Sequence, residues 1–252
     1  NIIRKDEKIW KTKWFLNSKL NYAENLLKNK DDNIAIYFFG ENKVRTQVTF
    51  NELYSEVAKV AHSFRNLGIR KGDRIAGFIP NIPEAIISML AATSIGAIWS
   101  SCSPDFGTDA VLDRFKQINP KIIIASDGYY YKGKEINYND KLNKIVNSLS
   151  SIENVFIANY LNNGLSNWYK LTDNDCDEIN FEQVDFNHPL YIMYSSGTTG
   201  KPKSIVHSVG GTLVQHNKEH LLHVNLKKND KIFYYSTCGW MMWNWLVSSL
   251  AV

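Results

Sequence analysis

From Tyr194 to Lys203 the chain reads Tyr-Ser-Ser-Gly-Thr-Thr-Gly-Lys-Pro-Lys. The hydroxyls of Ser195, Ser196, Thr198 and Thr199 add hydrogen-bond donors with little bulk. Gly197 and Gly200 let successive backbone amides turn toward a ligand and form an anion nest. Lys201 and Lys203 supply compact positive charge. Together these groups suit a polyphosphate. The loop is not of the Walker A type, which needs four residues between its glycines and Ser or Thr directly after the Lys. Here only Thr198 and Thr199 separate the glycines, and Pro202 follows Lys201. A surface turn also favours Ser, Thr, Gly and Pro, but a turn needs only some of them. So many in order, straight after the β-branched and aromatic run Leu190–Tyr194, argue for a ligand.

Other reactive side chains carry less. His207 follows the loop in Ser204-Ile205-Val206-His207, with no acid or nucleophile placed to serve it. His216 and His220 are four apart on a predicted helix that also carries His223. HExxH is absent, however, and a zinc site needs three or four ligands, so no metal ligand is assigned. Cys102, Cys176 and Cys238 are odd in number, widely separated and without a CxxC pair, which predicts reduced thiols.

The elements that must position the loop alternate between strand and helix. Ile34–Phe39 reads as a strand ended by Gly40. Thr49-Phe50-Asn51-Glu52 has the form of a capping box. Behind it Leu53, Val57, Val60, Ala61, Phe64 and Leu67 recur at helical spacing, and Gly68 closes the helix. Arg74–Phe78 reads as a strand, Pro83 to about Ile95 as a helix opened by Pro and stopped by Gly96. Ala97–Ser100 is strand-like, Asp109–Ile118 helical, and Ile122–Ala125 a buried strand. This order predicts an α/β fold with a parallel sheet flanked by helices. Asn139–Leu149 reads as a short helix and Val155–Ala158 as a short strand. Gly128–Asn143 is polar, and Asn159–Asn187 reads as a long surface excursion. Trp10, Trp14 and Phe15, close to the start, predict a docked segment over residues 1–30.

Composition bounds the function. The 252 residues are 44% hydrophobic and 13% aromatic, which suits a packed core. Net charge is +4, too small an excess to name a partner, and no basic stripe interleaved with aromatics points to nucleic acid. No apolar run is long enough to span a bilayer, and the first residues contain no signal-peptide core. The expectation is a cytoplasmic protein with small-molecule substrates, without nucleic-acid or membrane partners.

Tyr-Ser-Ser-Gly-Thr-Thr-Gly-Lys-Pro-Lys resembles the phosphate loop of the adenylate-forming superfamily, the acyl-CoA synthetases and their relatives. Ser204 departs from the usual Gly after Pro-Lys, a Gly that acetoacetyl-CoA synthetases also tend to lack. Lys13-Trp14-Phe15 with Leu20-Asn21-Tyr22-Ala23-Glu24-Asn25 resembles the N-terminal segment of the acetyl-CoA and acetoacetyl-CoA synthetase branch. Val48-Thr49-Phe50-Asn51-Glu52-Leu53 through Asn81-Ile82-Pro83-Glu84 is similar to the superfamily's early framework. Gly239-Trp240-Met241-Met242-Trp243-Asn244 lies where the branch builds its acyl pocket, and its Met-Met-Trp-Asn version is similar to that of acetoacetyl-CoA synthetases.

The resemblance implies the N-terminal subdomains of an adenylate-forming domain, with residues 31–252 an incomplete AMP-binding domain. It implies ATP-dependent joining of acetoacetate to coenzyme A through an acyl-adenylate. Ser195, Ser196, Gly197, Thr198, Thr199, Gly200, Lys201 and Lys203 would hold the ATP phosphates. Trp240, Met241, Met242, Trp243 and Asn244 would wall the acyl pocket, although from spacing alone they read as ordinary core. Lys132, Gly133 and Lys134 would contact the 3′-phosphate end of coenzyme A, in a partial match where Tyr131 replaces the leading basic residue.

The magnesium-positioning acidic motif, the ribose-binding Asp and the lid lysine of the superfamily have no counterpart here, so no catalytic residue is assigned. A start without Met and an apolar last run predict a fragment that is inactive alone. The alternatives are an acetyl- or propionyl-CoA synthetase of the same branch, and a non-catalytic nucleotide-binding module.

Overall fold

The computed structural model describes residues 3–8, 11–41, 44–195 and 200–252. Six strands form its main sheet: Arg74–Phe78 (β1), Ile98–Cys102 (β2), Ile122–Ser126 (β3), Asn154–Ala158 (β4), Pro189–Tyr194 (β5) and Ser204–Ser208 (β6). Their order is β4-β3-β1-β2-β5-β6. The first five run parallel, and β6 returns antiparallel to β5. A parallel interior needs helices on both faces, and the residue alternation of the strands shows it. Ile122 and Ile124 enter one core cluster with Ile75 and Trp99, while Ile123 and Ala125 enter the other with Ala76 and Phe78. Neighbouring residues on a strand thus feed opposite layers.

The helices are Tyr22–Leu26 (α1), Phe50–Asn66 (α2), Pro83–Ser94 (α3), Thr108–Ile118 (α4), Asn139–Asn147 (α5), Tyr169–Thr172 (α6), Val209–Lys218 (α7) and Met241–Val247 (α8). α1 to α3 pack in the layer of Trp99, with Val209 and Leu213 of α7 and Trp243 of α8. α4 and α5 cover the other face through Val111, Phe115, Leu142 and Ile145. The predicted start of α2 is present in full. Thr49 Oγ1 accepts from Glu52 N at 3.1 Å, and Glu52 Oε2 accepts from Thr49 N at 2.8 Å. Gly96, at φ +73°, closes α3, and Ala97 N donates to Ala92 O across that turn.

Residues 19–28 lie against the main domain. Asn21 Nδ2 donates to the carbonyls of Thr93, Ser94 and Glu182, and Tyr22, Ala23, Leu26 and Leu27 are buried. Phe15 leans on Phe186 at 4.8 Å, while Trp14 is exposed. Trp10 lies outside the described residues.

Two stretches differ from expectation. The polar 128–143 region contains a hairpin, Tyr129–Tyr131 with Lys134–Ile136. The 159–187 stretch runs over the surface, but it is anchored to the core at single residues. Leu171 of α6 is buried, and its carbonyl accepts from Ser63 Oγ on α2 at 2.8 Å. Val184–Asp185 pairs with Lys19–Leu20. Asn167 also replaces a strand beside β4: its Oδ1 accepts from Ile157 N and its Nδ2 donates to Val155 O. These are single-residue devices, which leave no period to read.

Candidate functional site

In open parallel sheets the ligand crevice lies beyond the carboxyl ends of the strands, where the strand order reverses. Here β1 leads through α3 to β2 on one side, and β2 leads through α4 to β3 on the other side of β1. The predicted phosphate loop connects the far end of β5 to β6, so it opens on that same edge. Ser195 N donates to Lys203 O at 3.0 Å, and Lys203 N donates to Ser195 Oγ at 3.3 Å. These bonds continue the β5–β6 ladder one step past Tyr194 and close the base of the loop. Gly200 sits at φ +108°, a conformation side chains rarely adopt, and among the described residues nothing comes within 4 Å of where a Cβ would stand. Lys201 and Lys203 are exposed. Ser196, Gly197, Thr198 and Thr199 lie outside the described residues.

The strand that delivers the loop is tied down from below. Tyr194 OH donates to Arg114 O at 3.1 Å, and Ser100 Oγ on β2 donates to Ile192 O at 2.8 Å. Burial raises the Tyr194 phenol, so it stays a protonated donor. The Arg114 guanidinium stands over Phe106 at 4.9 Å and over Tyr194 at 5.7 Å.

The Gly239–Asn244 segment crosses the ends of β1 and β2. Ser101 Oγ donates to Cys238 O at 2.6 Å, and the Cys238 thiol points at Pro80 O. Gly239 passes over the end of β2, where a Cβ would stand 3.4 Å from Ser103 N, an ordinary contact distance. Trp243 Nε1 donates to Asn81 Oδ1 at 2.8 Å. Trp240 and Met241 are exposed, Met242 is half-buried, and Trp243 and Asn244 are buried. The five predicted pocket residues therefore divide: the first two face outward and the last two anchor the helix. Asn244 Nδ2 reaches Met193 Sδ at 3.6 Å, two residues before Ser195, and its Oδ1 is buried with no hydrogen-bond partner among the described residues. The strand that leads into the predicted phosphate loop and the predicted acyl wall thus meet at one edge of the sheet, where Met193 touches Asn244.

A family model described as AMP-binding enzyme matches residues 23–251. The chain belongs to the AMP-binding enzyme family. Over 254 residues it is 50% identical to acetoacetyl-CoA synthetase of Gallus gallus, with 94% of this chain and 38% of that protein covered. It is 46% identical to acetoacetyl-coenzyme A synthetase of Rhizobium meliloti (strain 1021) over 248 residues, covering 95% and 38%. The chain therefore spans 38% of the length of these relatives. The solved acetoacetyl-CoA synthetase from Streptomyces lividans superposes with a TM-score of 0.94 at 41% identity, over 99% of this chain and 40% of that one. The α/β sheet described above is thus the AMP-binding family's fold.

The third predicted cluster lies on the hairpin. Lys132 and Gly133, at φ +51° and +73°, form the two-residue turn of the 129–136 hairpin, the backbone that tight hairpins require. Gly133 N donates to Glu41 Oε2 at 3.1 Å, and Lys132 Nζ lies over the Tyr131 ring. Lys134 is exposed. His216 and His220 have structural partners: His216 Nδ1 meets Ser248 Oγ at 2.7 Å, and His220 Nε2 meets Trp245 O at 2.9 Å. All three cysteines are free, and burial pushes the Cys102 thiol up to about 12. Among the described residues no group of three or more His, Cys, Asp or Glu could hold a metal ion. No described helix is long and apolar enough to cross a membrane.

Reading the sequence for the site missed the supports: Asn81, Ser100, Arg114 and Gln117. Each acts across tens of residues of chain, through a bond that no local spacing announces.

Proposed function

We propose that this chain supplies the phosphate-binding and acyl-binding parts of an ATP-dependent acetoacetate–CoA ligase. The observation that carries the reading is the shared edge: Met193 leads into the phosphate loop and touches Asn244 of the Gly-Trp-Met-Met-Trp-Asn segment. Identity with acetoacetyl-CoA synthetases over nearly the whole chain supports the substrate. The domain reading follows, with residues 1–30 a docked segment and 31–252 the N-terminal part of the AMP-binding domain. The setting is cytoplasmic.

The reaction has two steps. A carboxylate oxygen of acetoacetate attacks the α-phosphorus of ATP, and the bond to the bridging oxygen breaks to release pyrophosphate. The coenzyme A thiol, giving up its proton, then attacks the acyl carbon of the adenylate and expels AMP. The protein's part is to hold charged groups in line and neutralise the leaving pyrophosphate. Ser195, Ser196, Thr198 and Thr199 with the amides of Gly197 and Gly200 would hold the β- and γ-phosphates. Lys201 and Lys203 would add charge at the loop's exit. Trp240 and Met241 would face the acyl chain, with Met242 beside them, and Trp243 and Asn244 would fix that wall. Lys132, Gly133 and Lys134 would meet the 3′-phosphate end of coenzyme A. Magnesium, which the family resemblance implies, receives no ligand from this chain in the proposal.

The test is acid-dependent pyrophosphate release by the native protein, with acetoacetate, acetate and propionate at equal concentration. Strong preference for acetoacetate is expected. Preference for acetate or propionate would keep the chemistry and overturn the acid. No release with any of them would favour a nucleotide-binding module without catalysis.

A further inference from the structure

The limb of the loop that leaves toward β6 is gripped from outside by α4. Gln117 Nε2 donates to Pro202 O at 2.8 Å, and Ser204 Oγ donates to Gln117 Oε1 at 2.8 Å. One amide thus holds both neighbours of Lys203, using its donor end for one and its acceptor end for the other. A carboxylate would lose the donor, and an apolar side chain would lose both. On the inner side Ser195 Oγ accepts from Lys203 N, so residues 202–204 are fixed between β5 and α4. One turn earlier on α4, Asp113 Oδ1 lies 3.3 Å from Lys201 Nζ. That pair differs in kind. The Lys201 side chain is 80% exposed, so solvent screens the attraction and the ammonium leaves easily. The amide contacts are neutral and do not compete with phosphate for charge.

We propose that Gln117 is a positioning residue that clamps the exit limb of the phosphate loop through Pro202 and Ser204, and that Asp113 parks the Lys201 ammonium until a nucleotide phosphate displaces it. The proposal rests on the polyphosphate reading of the loop. The clamp keeps its contacts when ATP arrives, while Lys201 exchanges one anion for another. Asp113 therefore competes with the nucleotide, whereas Gln117 and Ser204 assist it.

The experiment uses the native protein with Gln117→Leu, Ser204→Ala, their double variant, Ser204→Thr and Asp113→Asn. Amide hydrogen exchange over residues 200–208 without nucleotide reads the clamp; KM for ATP and kcat read its use. Gln117→Leu and Ser204→Ala are each expected to speed exchange. Each is also expected to raise KM for ATP about five-fold, the worth of one or two neutral hydrogen bonds, with kcat nearly unchanged. The double variant is expected to match Gln117→Leu, because both changes break one unit. Ser204→Thr keeps the hydroxyl and retains slow exchange. Asp113→Asn is expected to lower KM for ATP about two-fold, since a competing charge is gone. Unchanged exchange in Gln117→Leu, or additive losses in the double variant, would overturn the clamp. An unchanged or raised KM in Asp113→Asn would overturn the parking of Lys201. If the unaltered protein consumed no ATP, the functional reading would fail, and amide exchange alone would decide the clamp.

Discussion

Trp243 Nε1 and Asn81 Oδ1 meet at 2.8 Å across 162 positions of chain. The bond ties α8, which follows the exposed Trp240 and Met241, to the turn between β1 and α3. Trp243 is also among the largest fully buried side chains. The proposed acyl wall, exposed at Trp240 and Met241, is therefore rooted in the core through Trp243.

That root predicts a graded series. Trp243→Phe removes the N–H, leaves Asn81 unpaired and shrinks the contact, and should cost about 1–3 kcal/mol. Trp243→Ala adds a large cavity and should cost about 3–5 kcal/mol. Urea unfolding of the native protein measures both. Equal stability of the two variants would contradict the role of the bond and the packing.

His216 makes stability fall in mild acid. Its imidazole is pushed down to about 4, by burial first and then by His220, while Glu219 pulls the other way. Between the ordinary value of 6.5 and that lowered one, the unfolded chain binds a proton that the folded chain refuses. Stability is therefore complete above the ordinary value and drops as pH falls through the window, by at most about 1.4 kcal/mol per pH unit. Ser248 and Tyr22 face the same ring through a shared hydroxyl contact, and His220, lowered in the same direction by burial, adds to the slope. His216→Gln should flatten the acid limb measured by urea unfolding at a series of pH values. An unaltered slope would show that His216 is not its source.

The Trp99 ring lies directly over Gly77 on the neighbouring strand. A Cβ on Gly77 would stand 2.6 Å from Trp99 Cζ2, closer than atoms pack. Gly77→Ala should destabilise by about 1–3 kcal/mol, and Trp99→Leu should cost less in that variant than in the unaltered protein, because the new methyl already crowds the ring. Thermal melts of the three variants check this. Full stability in Gly77→Ala alone would contradict the tight contact.

The proposed contact of Lys134 with coenzyme A distinguishes the two chemical steps. Lys134→Ala should raise KM for coenzyme A several-fold by removing one exposed positive charge near its phosphate. Acetoacetate-dependent pyrophosphate exchange should stay unchanged, since that step involves no coenzyme A. Equal losses in both measurements would place Lys134 elsewhere.

Much of the frame was legible in the sequence because local physics repeats. The Thr49–Glu52 box, the Pro83 opening with its Gly96 stop, and the Ile122–Ala125 run each carry their signal within a few residues. The end of β5 at Tyr194 was legible too, from the β-branched and aromatic run Leu190–Tyr194. The hairpin at residues 129–136 was not, because three tyrosines and two lysines show no clean alternation. Leu171, Val184 and Asn167 were not, because each enters the fold singly. The division of Trp240–Asn244 into outward and buried halves was hidden too: Trp, Met and Asn suit either side, and only Asn81 and Met193, distant in sequence, decide between them. The grip of Gln117 on Pro202 and Ser204 had no sequence signal at all.

The most direct test follows product rather than substrate. The native protein is given ATP, acetoacetate and coenzyme A, and acetoacetyl thioester and adenine nucleotides are quantified together. Acetoacetyl-CoA and AMP should form in equal amounts. ADP in place of AMP would contradict the adenylate route and with it the role given to the loop between Tyr194 and Ser204, whereas AMP without thioester would keep the adenylate and overturn its transfer to coenzyme A.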